Sequence, residues 1–162
     1  LLRQIQKDCH AAGITIGRLV LRPFAAASLL KDQHNDGKCR MLVDLLRDGG
    51  IPTSLFVEPS LDQIKAAHKI GAAYVELHTG RYSNAKRSKE EDEEFEAITQ
   101  AAKLAYKLGL GVNAGHGLTY KNVKRLAKLP EIVEFNIGHS IIARSVMVGL
   151  VQAVREMREL VA

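Results

Sequence analysis

Two Gly-His pairs in the last third of the chain follow short apolar segments that predict strands. Gly115-His116-Gly117 follows residues 111–114, and Gly138-His139-Ser140 follows residues 133–137. Imidazole titrates near neutral pH, so a histidine at a strand end can donate or accept protons. The glycines beside His116 let the backbone approach a ligand closely. The pattern predicts proton transfer at His116, with a histidine that only completes a loop as the alternative.

The second pair, Gly138-His139, precedes a predicted helix and suggests an anion site. Backbone N–H groups at a helix start form a cradle for phosphate. In (βα)8 barrels the loops after the last two strands often bind phosphate. Glycine before a helix is common, so the motif gains weight only from the Gly-His-Gly loop before it. We predict phosphate binding at Gly138 and His139.

A carboxylate, Glu76, alternates with His78 along the predicted strand 73–79, so the two side chains point to one face. If Val75 and Leu77 face helices, Glu76 points into the interior of a barrel. A carboxylate buried there is costly unless it is paired or used in chemistry. Two interpretations remain open, a catalytic carboxylate and a structural salt bridge to a lysine of a neighbouring strand.

Strands and helices alternate from residue 38 onward, which predicts a parallel α/β sheet. Four βα units follow one another from Thr53, and half of an eightfold barrel or a small doubly wound sheet fits them equally. Ser60 is a predicted N-cap. Polar loops are predicted at 33–37 and 80–85. The predicted strands span 53–58, 73–79, 111–114 and 133–137, and the predicted helices span 41–46, 61–70, 86–108, 119–128 and 140–160.

The first 37 residues carry no recognisable chemistry. Their pattern predicts a helix over 1–12, a strand over 14–21 and a short helix over 24–30. The chain begins with Leu1 rather than methionine, so we expect a fragment of a longer product. We divide it into a segment 1–37 of unassigned origin and a barrel part 38–162.

Hydrophobic residues make up 46% of the 162 residues and charged residues 25%, as in globular domains. There is no apolar run near the roughly 20 residues of a membrane span, no secretory signal, and no metal-ligand spacing at Cys9 and Cys39. We expect a cytoplasmic protein without membrane partner, metal or cofactor. The net charge of +5 fits nucleic acid, small anionic substrates or a solvated surface. Scattered basic residues with few aromatic neighbours argue against nucleic acid.

Three segments, Tyr74–Gly80, Val112–Thr119 and Glu134–Arg144, resemble pyridoxine 5'-phosphate synthase. With 39–58 and 61–73, the resemblance covers about residues 38–162. It implies a (βα)8 barrel that assembles into a homo-oligomer. It also implies an enzyme of vitamin B6 biosynthesis that condenses 1-deoxy-D-xylulose 5-phosphate with 3-amino-2-oxopropyl phosphate, losing water and phosphate as the pyridine ring closes.

The resemblance assigns roles by position. His116 matches a histidine that donates and accepts protons, and Gly117 matches a neighbour that contacts substrate. Gly138 and His139 match residues that bind the phosphate of substrate or product. Glu76 matches a strand carboxylate associated with catalysis.

The motifs of the first half of this family have no counterpart in residues 1–37, so we expect about three or four βα units to be missing. One alternative is therefore a non-catalytic remnant that binds phosphate ligands or assembles with other subunits. Another is a phosphate-binding barrel isomerase or aldolase. The absence of a lysine at the strand ends argues against the aldolase.

Overall fold

A computed structural model of the chain describes residues 19–21 and 33–162. Within them five strands form one parallel sheet, ordered as they follow along the chain. This confirms an α/β chain with about four to five βα units. The strands are β1 (Leu19–Leu21), β2 (Thr53–Val57), β3 (Tyr74–His78), β4 (Gly111–Gly115) and β5 (Ile132–Asn136). The helices are α1 (Gln33–Asp48), α2 (Leu61–Ile70), α3 (Gly80–Asn84), α4 (Ser88–Lys107), α5 (Val123–Leu126), α6 (His139–Val148) and α7 (Leu150–Val161).

The core lies between the helices and one face of the sheet. Val75 and Leu77 of β3 are fully buried and pack with apolar side chains of the helices, so Glu76 points to the opposite face. That opposite face is polar and also buried. Most core side chains come from β2–β4 and helices α1, α2 and α4, among them Val43, Leu55, Val57, Ile64, Ala67, Ile98, Ala101, Ala105, Val112 and Ala114. The polar face carries Ser54, Glu76 and Asn113.

Helix α2 has the predicted bounds because both of its ends have side-chain or backbone caps. The Ser60 hydroxyl accepts a hydrogen bond from the Gln63 N–H at 3.3 Å, which satisfies one of the N–H groups that a helix start leaves open. Gly71 ends the helix with φ at 90°, a left-handed conformation that favours glycine. Local signals of this kind predict helix ends well.

The two predicted polar loops are wrong. Residues 33–37 form the start of α1, and residues 80–84 form the short helix α3. Polar composition alone does not separate a loop from the first turn of a helix, because the same residue types are favoured in both. Helix α3 matters for the site because it begins directly at the carboxyl end of β3.

The predicted helix over 119–128 is reduced to α5. The side-chain oxygen of Asn122 accepts a hydrogen bond from the Thr119 N–H at 2.7 Å. This side chain competes with helical backbone bonding and closes a turn before the helix begins. Thr119 is therefore part of a turn and not the helix N-cap.

The predicted closing helix over 140–160 divides into α6 and α7 at Gly149. Gly149 has φ 82° and ψ 153°, a backbone region that is essentially limited to glycine. The Arg144 guanidinium spans the break and donates to Glu156 at 2.8 and 3.2 Å. The bend is thus built into the backbone and braced by an ion pair.

We expect Gly149→Ala to lower the free energy of unfolding by about 1–3 kcal/mol, the usual cost of holding such a residue in this backbone region. The measurement is urea unfolding followed by circular dichroism. Gly138→Ala is the matched control, because Gly138 has φ −113° and its added Cβ would meet no atom within 4 Å. Equal unfolding midpoints in the two variants would contradict a bend that requires glycine at position 149.

The predicted helices over 1–12 and 24–30, and residues 14–18 of the predicted strand, lie outside the described residues. The division between residues 37 and 38 stays a prediction. Among the helices that the structure describes, none combines the length and apolar character needed to cross a membrane.

Candidate functional site

The carboxyl ends of β3, β4 and β5 meet at one edge of the sheet. The register pairs His78 with Gly115, and Gly115 with Asn136. A one-residue register shift between β4 and β5 leaves Val133 as an extra residue, a β-bulge. The bulge brings Asn136 opposite Gly115, and the two Gly-His loops therefore leave the sheet side by side.

A cavity of about 620 Å³ lies between these two loops. It contains four of the five predicted site residues, and Glu76 is absent from its wall. The cavity therefore brings together the predicted proton-transfer loop and the predicted phosphate loop. Its wall is formed by His116, Gly117, Leu118, Thr119, Asn136, Ile137, Gly138, His139, Ser140 and Ala143.

Glu76 lies one layer below the cavity, on the polar face of the sheet, and is only 1% exposed. A Cβ placed on Gly115 would lie 2.5 Å from a carboxylate oxygen of Glu76, so this carboxylate packs directly against the backbone that precedes His116. Neither neighbouring strand, β2 or β4, contains a lysine. The structural alternative, a salt bridge from Glu76 to a lysine of a neighbouring strand, is therefore wrong.

His116 has a backbone conformation that is rare for a residue with a side chain. Its φ is 83°, and Gly117 follows with φ 78°. The Thr79 hydroxyl donates a hydrogen bond to the backbone here. Its oxygen lies 2.7 Å from the His116 carbonyl oxygen and 2.9 Å from the Gly115 carbonyl oxygen. Holding a non-glycine residue here costs on the order of 1–3 kcal/mol. Surrounding hydrogen bonds offset that cost and fix the loop.

A second set of hydrogen bonds holds the loop beyond His116. The Asn122 amide donates to the Gly117 carbonyl at 3.4 Å, and the Tyr82 hydroxyl donates to the Asn122 carbonyl at 2.8 Å. Burial raises the pKa of Tyr82, with Glu91 adding to the rise and Arg125 opposing it. The Tyr82 hydroxyl therefore stays protonated and remains a donor. Helix α3, which carries Tyr82, thus anchors the loop that carries His116.

The groups offered to a ligand differ at the two ends of the cavity. His116 and His139 are exposed side chains and supply imidazoles. Helix α6 begins beside the cavity, and its first backbone N–H groups have no partner within the helix. In the part of the chain that the structure describes, no group of three or more His, Cys, Asp or Glu side chains could hold a metal ion.

Sequence reasoning missed the role of His78 and Glu58 in this edge. The His78 ring lies 4.7 Å from the His116 ring, centroid to centroid, with 37° between their planes. Its Nδ1 lies 3.1 Å from a carboxylate oxygen of Glu58. A signal existed, because the three residues follow or end three successive predicted parallel strands, whose carboxyl ends meet at one edge.

The family model described as "Pyridoxal phosphate biosynthesis protein PdxJ" matches residues 29–162. The chain belongs to this family. It is 57% identical over 122 residues to the pyridoxine 5'-phosphate synthase of Citrifermentans bemidjiense, covering 75% of this chain and 51% of that protein. It is 57% identical over 116 residues to the protein of the same name from Geobacter sulfurreducens, covering 72% and 48%. The chain thus spans about half the length of these PdxJ relatives.

The crystal structure of the Amycolatopsis orientalis BexX/CysO complex is similar in fold, with a TM-score of 0.60 and 17% identity. The match covers 98% of this chain and 58% of that one. At this identity the similarity concerns the fold alone. The PdxJ family has the (βα)8-barrel fold, so the five parallel strands form part of such a barrel. Membership of this family excludes the other predicted fold, a small doubly wound sheet.

Proposed function

We propose that this chain carries part of the active site of a pyridoxine 5'-phosphate synthase. The reaction is the condensation of 1-deoxy-D-xylulose 5-phosphate with 3-amino-2-oxopropyl phosphate. The observation that supports it most is the cavity that the His116-Gly117 loop and the Gly138-His139 loop share. An imidazole at one end and helix N–H groups at the other suit a substrate that has a phosphate and exchanges protons.

Each predicted site residue has a role in this proposal. His116 donates and accepts protons during ring closure, and Gly117 leaves room for the substrate beside it. Gly138 and His139 bind phosphate at the start of α6, where the backbone N–H groups and the helix dipole favour an anion. Glu76 is the carboxylate associated with catalysis, and it acts from the layer below, against the backbone that leads to His116.

The test is formation of pyridoxine 5'-phosphate by the purified chain supplied with both substrates, with circular dichroism to verify folding. Product that disappears in His116→Asn would support the proposal. A folded sample without product would favour a phosphate-binding remnant. Isothermal titration calorimetry with inorganic phosphate then shows whether such a remnant still binds phosphate.

We expect Gly138→Val to weaken phosphate binding at least tenfold while leaving folding unchanged. Gly138 lines the cavity and a Cβ there would meet no protein atom within 4 Å, so the added methyl groups should crowd the ligand instead of disturbing the fold. The measurement is titration calorimetry with inorganic phosphate, beside an unfolding curve. Wild-type phosphate affinity in a folded Gly138→Val sample would contradict the cradle.

An assembly role is the second candidate, and one observation favours it. None of the residues of α6 is buried, and Val146 and Met147 of α6 and Val151 at the start of α7 are 74–81% exposed. Apolar surface of this kind commonly marks a protein interface. We therefore propose that the chain forms a homo-oligomer, which light scattering coupled to gel filtration would detect. A monomer at micromolar concentration would count against it.

A further inference from the structure

Glu58, His78 and His116 form a row across the ends of three adjacent strands. The Glu58 carboxylate lies 3.1 Å from His78 Nδ1, and the His78 ring packs against the His116 ring at 4.7 Å. The Nδ1 is buried, and its 3.1 Å contact with the carboxylate is close but lacks the direction of a hydrogen bond. Glu58 thus contacts the His78 imidazole, and His78 in turn contacts the His116 imidazole. Such contacts can fix the orientation of an imidazole ring.

We propose that His78, held by Glu58, is a positioning residue for His116. The inference depends on the proposed function only for the assignment of proton transfer to His116. His78 itself does not line the cavity. It acts through the ring of His116, not on the substrate.

The surroundings of His78 leave its ring little freedom. The Phe56 ring meets it edge-on at 5.0 Å and 82°. A Cβ on Gly80 would lie 2.8 Å from His78 Cε1 and 3.0 Å from His116 Cδ2, so both imidazoles rest on the first residue of α3. The negative charge of the Glu58 carboxylate, 3.1 Å from Nδ1, attracts a proton to that ring nitrogen.

His116 needs such a contact because its side chain is exposed. Thr79 holds the backbone carbonyl of His116, but a fixed backbone leaves the imidazole free to turn about its side-chain bonds. Packing against the His78 ring restricts that rotation and keeps the imidazole at the mouth of the cavity. Small misplacements of a proton-transfer group reduce the rate strongly, by up to about 10²-fold for 1 Å.

The test compares His78→Ala, His78→Phe and Glu58→Ala with wild type and with His68→Ala. His68 is an exposed residue of α2 and serves as the matched control. Phenylalanine keeps an aromatic ring against His116 and is the rescue variant. Urea unfolding verifies that each variant folds.

The first readout is NMR of the imidazole groups, which needs no activity. In wild type we expect nuclear Overhauser contacts between the His78 and His116 rings. We also expect the nitrogen shifts of His78 to report a proton on Nδ1. Glu58→Ala should change the His78 nitrogen shifts, and His78→Ala should change the His116 signals, while His68→Ala changes neither.

The second readout is kinetic. His78→Ala should lower kcat about tenfold to a hundredfold with KM changed less than twofold, and His78→Phe should recover most of kcat. If the wild-type chain makes no product, the proposed function fails and the NMR comparison alone decides the positioning. Absent ring-to-ring contacts in wild type, or His116 signals unchanged in folded His78→Ala, would overturn the inference.

Discussion

Replacing His116 by asparagine is expected to reduce kcat for pyridoxine 5'-phosphate formation by about 10²- to 10⁴-fold, the usual contribution of a general acid or base. Asparagine tolerates the left-handed backbone better than most residues. The φ of 83° at this position therefore makes it a better probe than alanine. The variant should fold as wild type does, since the lost imidazole is exposed.

A second replacement, His116→Gly, separates the chemistry from the conformation. Glycine removes the left-handed strain, on the order of 1–3 kcal/mol, but adds an entropic cost of about 0.5–1 kcal/mol. We therefore expect the free energy of unfolding to stay equal or to rise slightly while turnover is lost. Unfolding by urea and a product assay measure the two effects. Wild-type turnover in either variant would remove His116 from the mechanism.

Gly115→Ala is expected to destabilise the chain by about 1–3 kcal/mol, as overpacking of a buried site usually does, and to reduce activity as well. The new Cβ would lie 2.5 Å from the Glu76 carboxylate and 3.2 Å from the Asn136 carbonyl oxygen. Glu76 is buried on its strand and cannot simply turn away. The carboxylate and the backbone leading to His116 must then move together.

A double-mutant cycle assigns this clash to its partner. In Glu76→Ala the carboxylate is absent, so Gly115→Ala should cost clearly less in that background than in wild type. The coupling between the two changes should reach about 0.5 kcal/mol or more, as for residues in contact. Strict additivity of the two unfolding free energies would show that Gly115 is constrained by Asn136 alone.

Much of the fold was predictable because its signals are local. Short apolar segments that end at glycine, proline or polar residues predicted the strands β2–β5, and the caps Ser60 and Gly71 defined α2. The Gly-His pairs were placed at strand ends by the same reasoning, and the structure puts both beside one cavity. In a parallel sheet the carboxyl ends of adjacent strands lie side by side, so residues predicted at these ends are also predicted to be neighbours.

The remaining features depend on register and backbone conformation, which single residues do not reveal. Gly149 breaks a helix, yet a glycine inside an apolar helical pattern is often tolerated. The contact of His78 with His116 depends on the register that pairs His78 with Gly115. This register is a property of the folded sheet. The left-handed φ of His116 depends on Thr79, which is remote along the chain.

The bulge at Val133 has a consequence for how sequences of this kind can change in length. Val133 is the extra residue, and 67% of its surface is exposed. A chain that lacked Val133 would still place Glu134 opposite Asn113 and Asn136 opposite Gly115, in one uninterrupted ladder. The deletion of one residue at this point is therefore absorbed inside β5. Loss of a residue after Asn136 would instead draw Gly138-His139 away from His116, so tolerance to length change should end abruptly within a few positions.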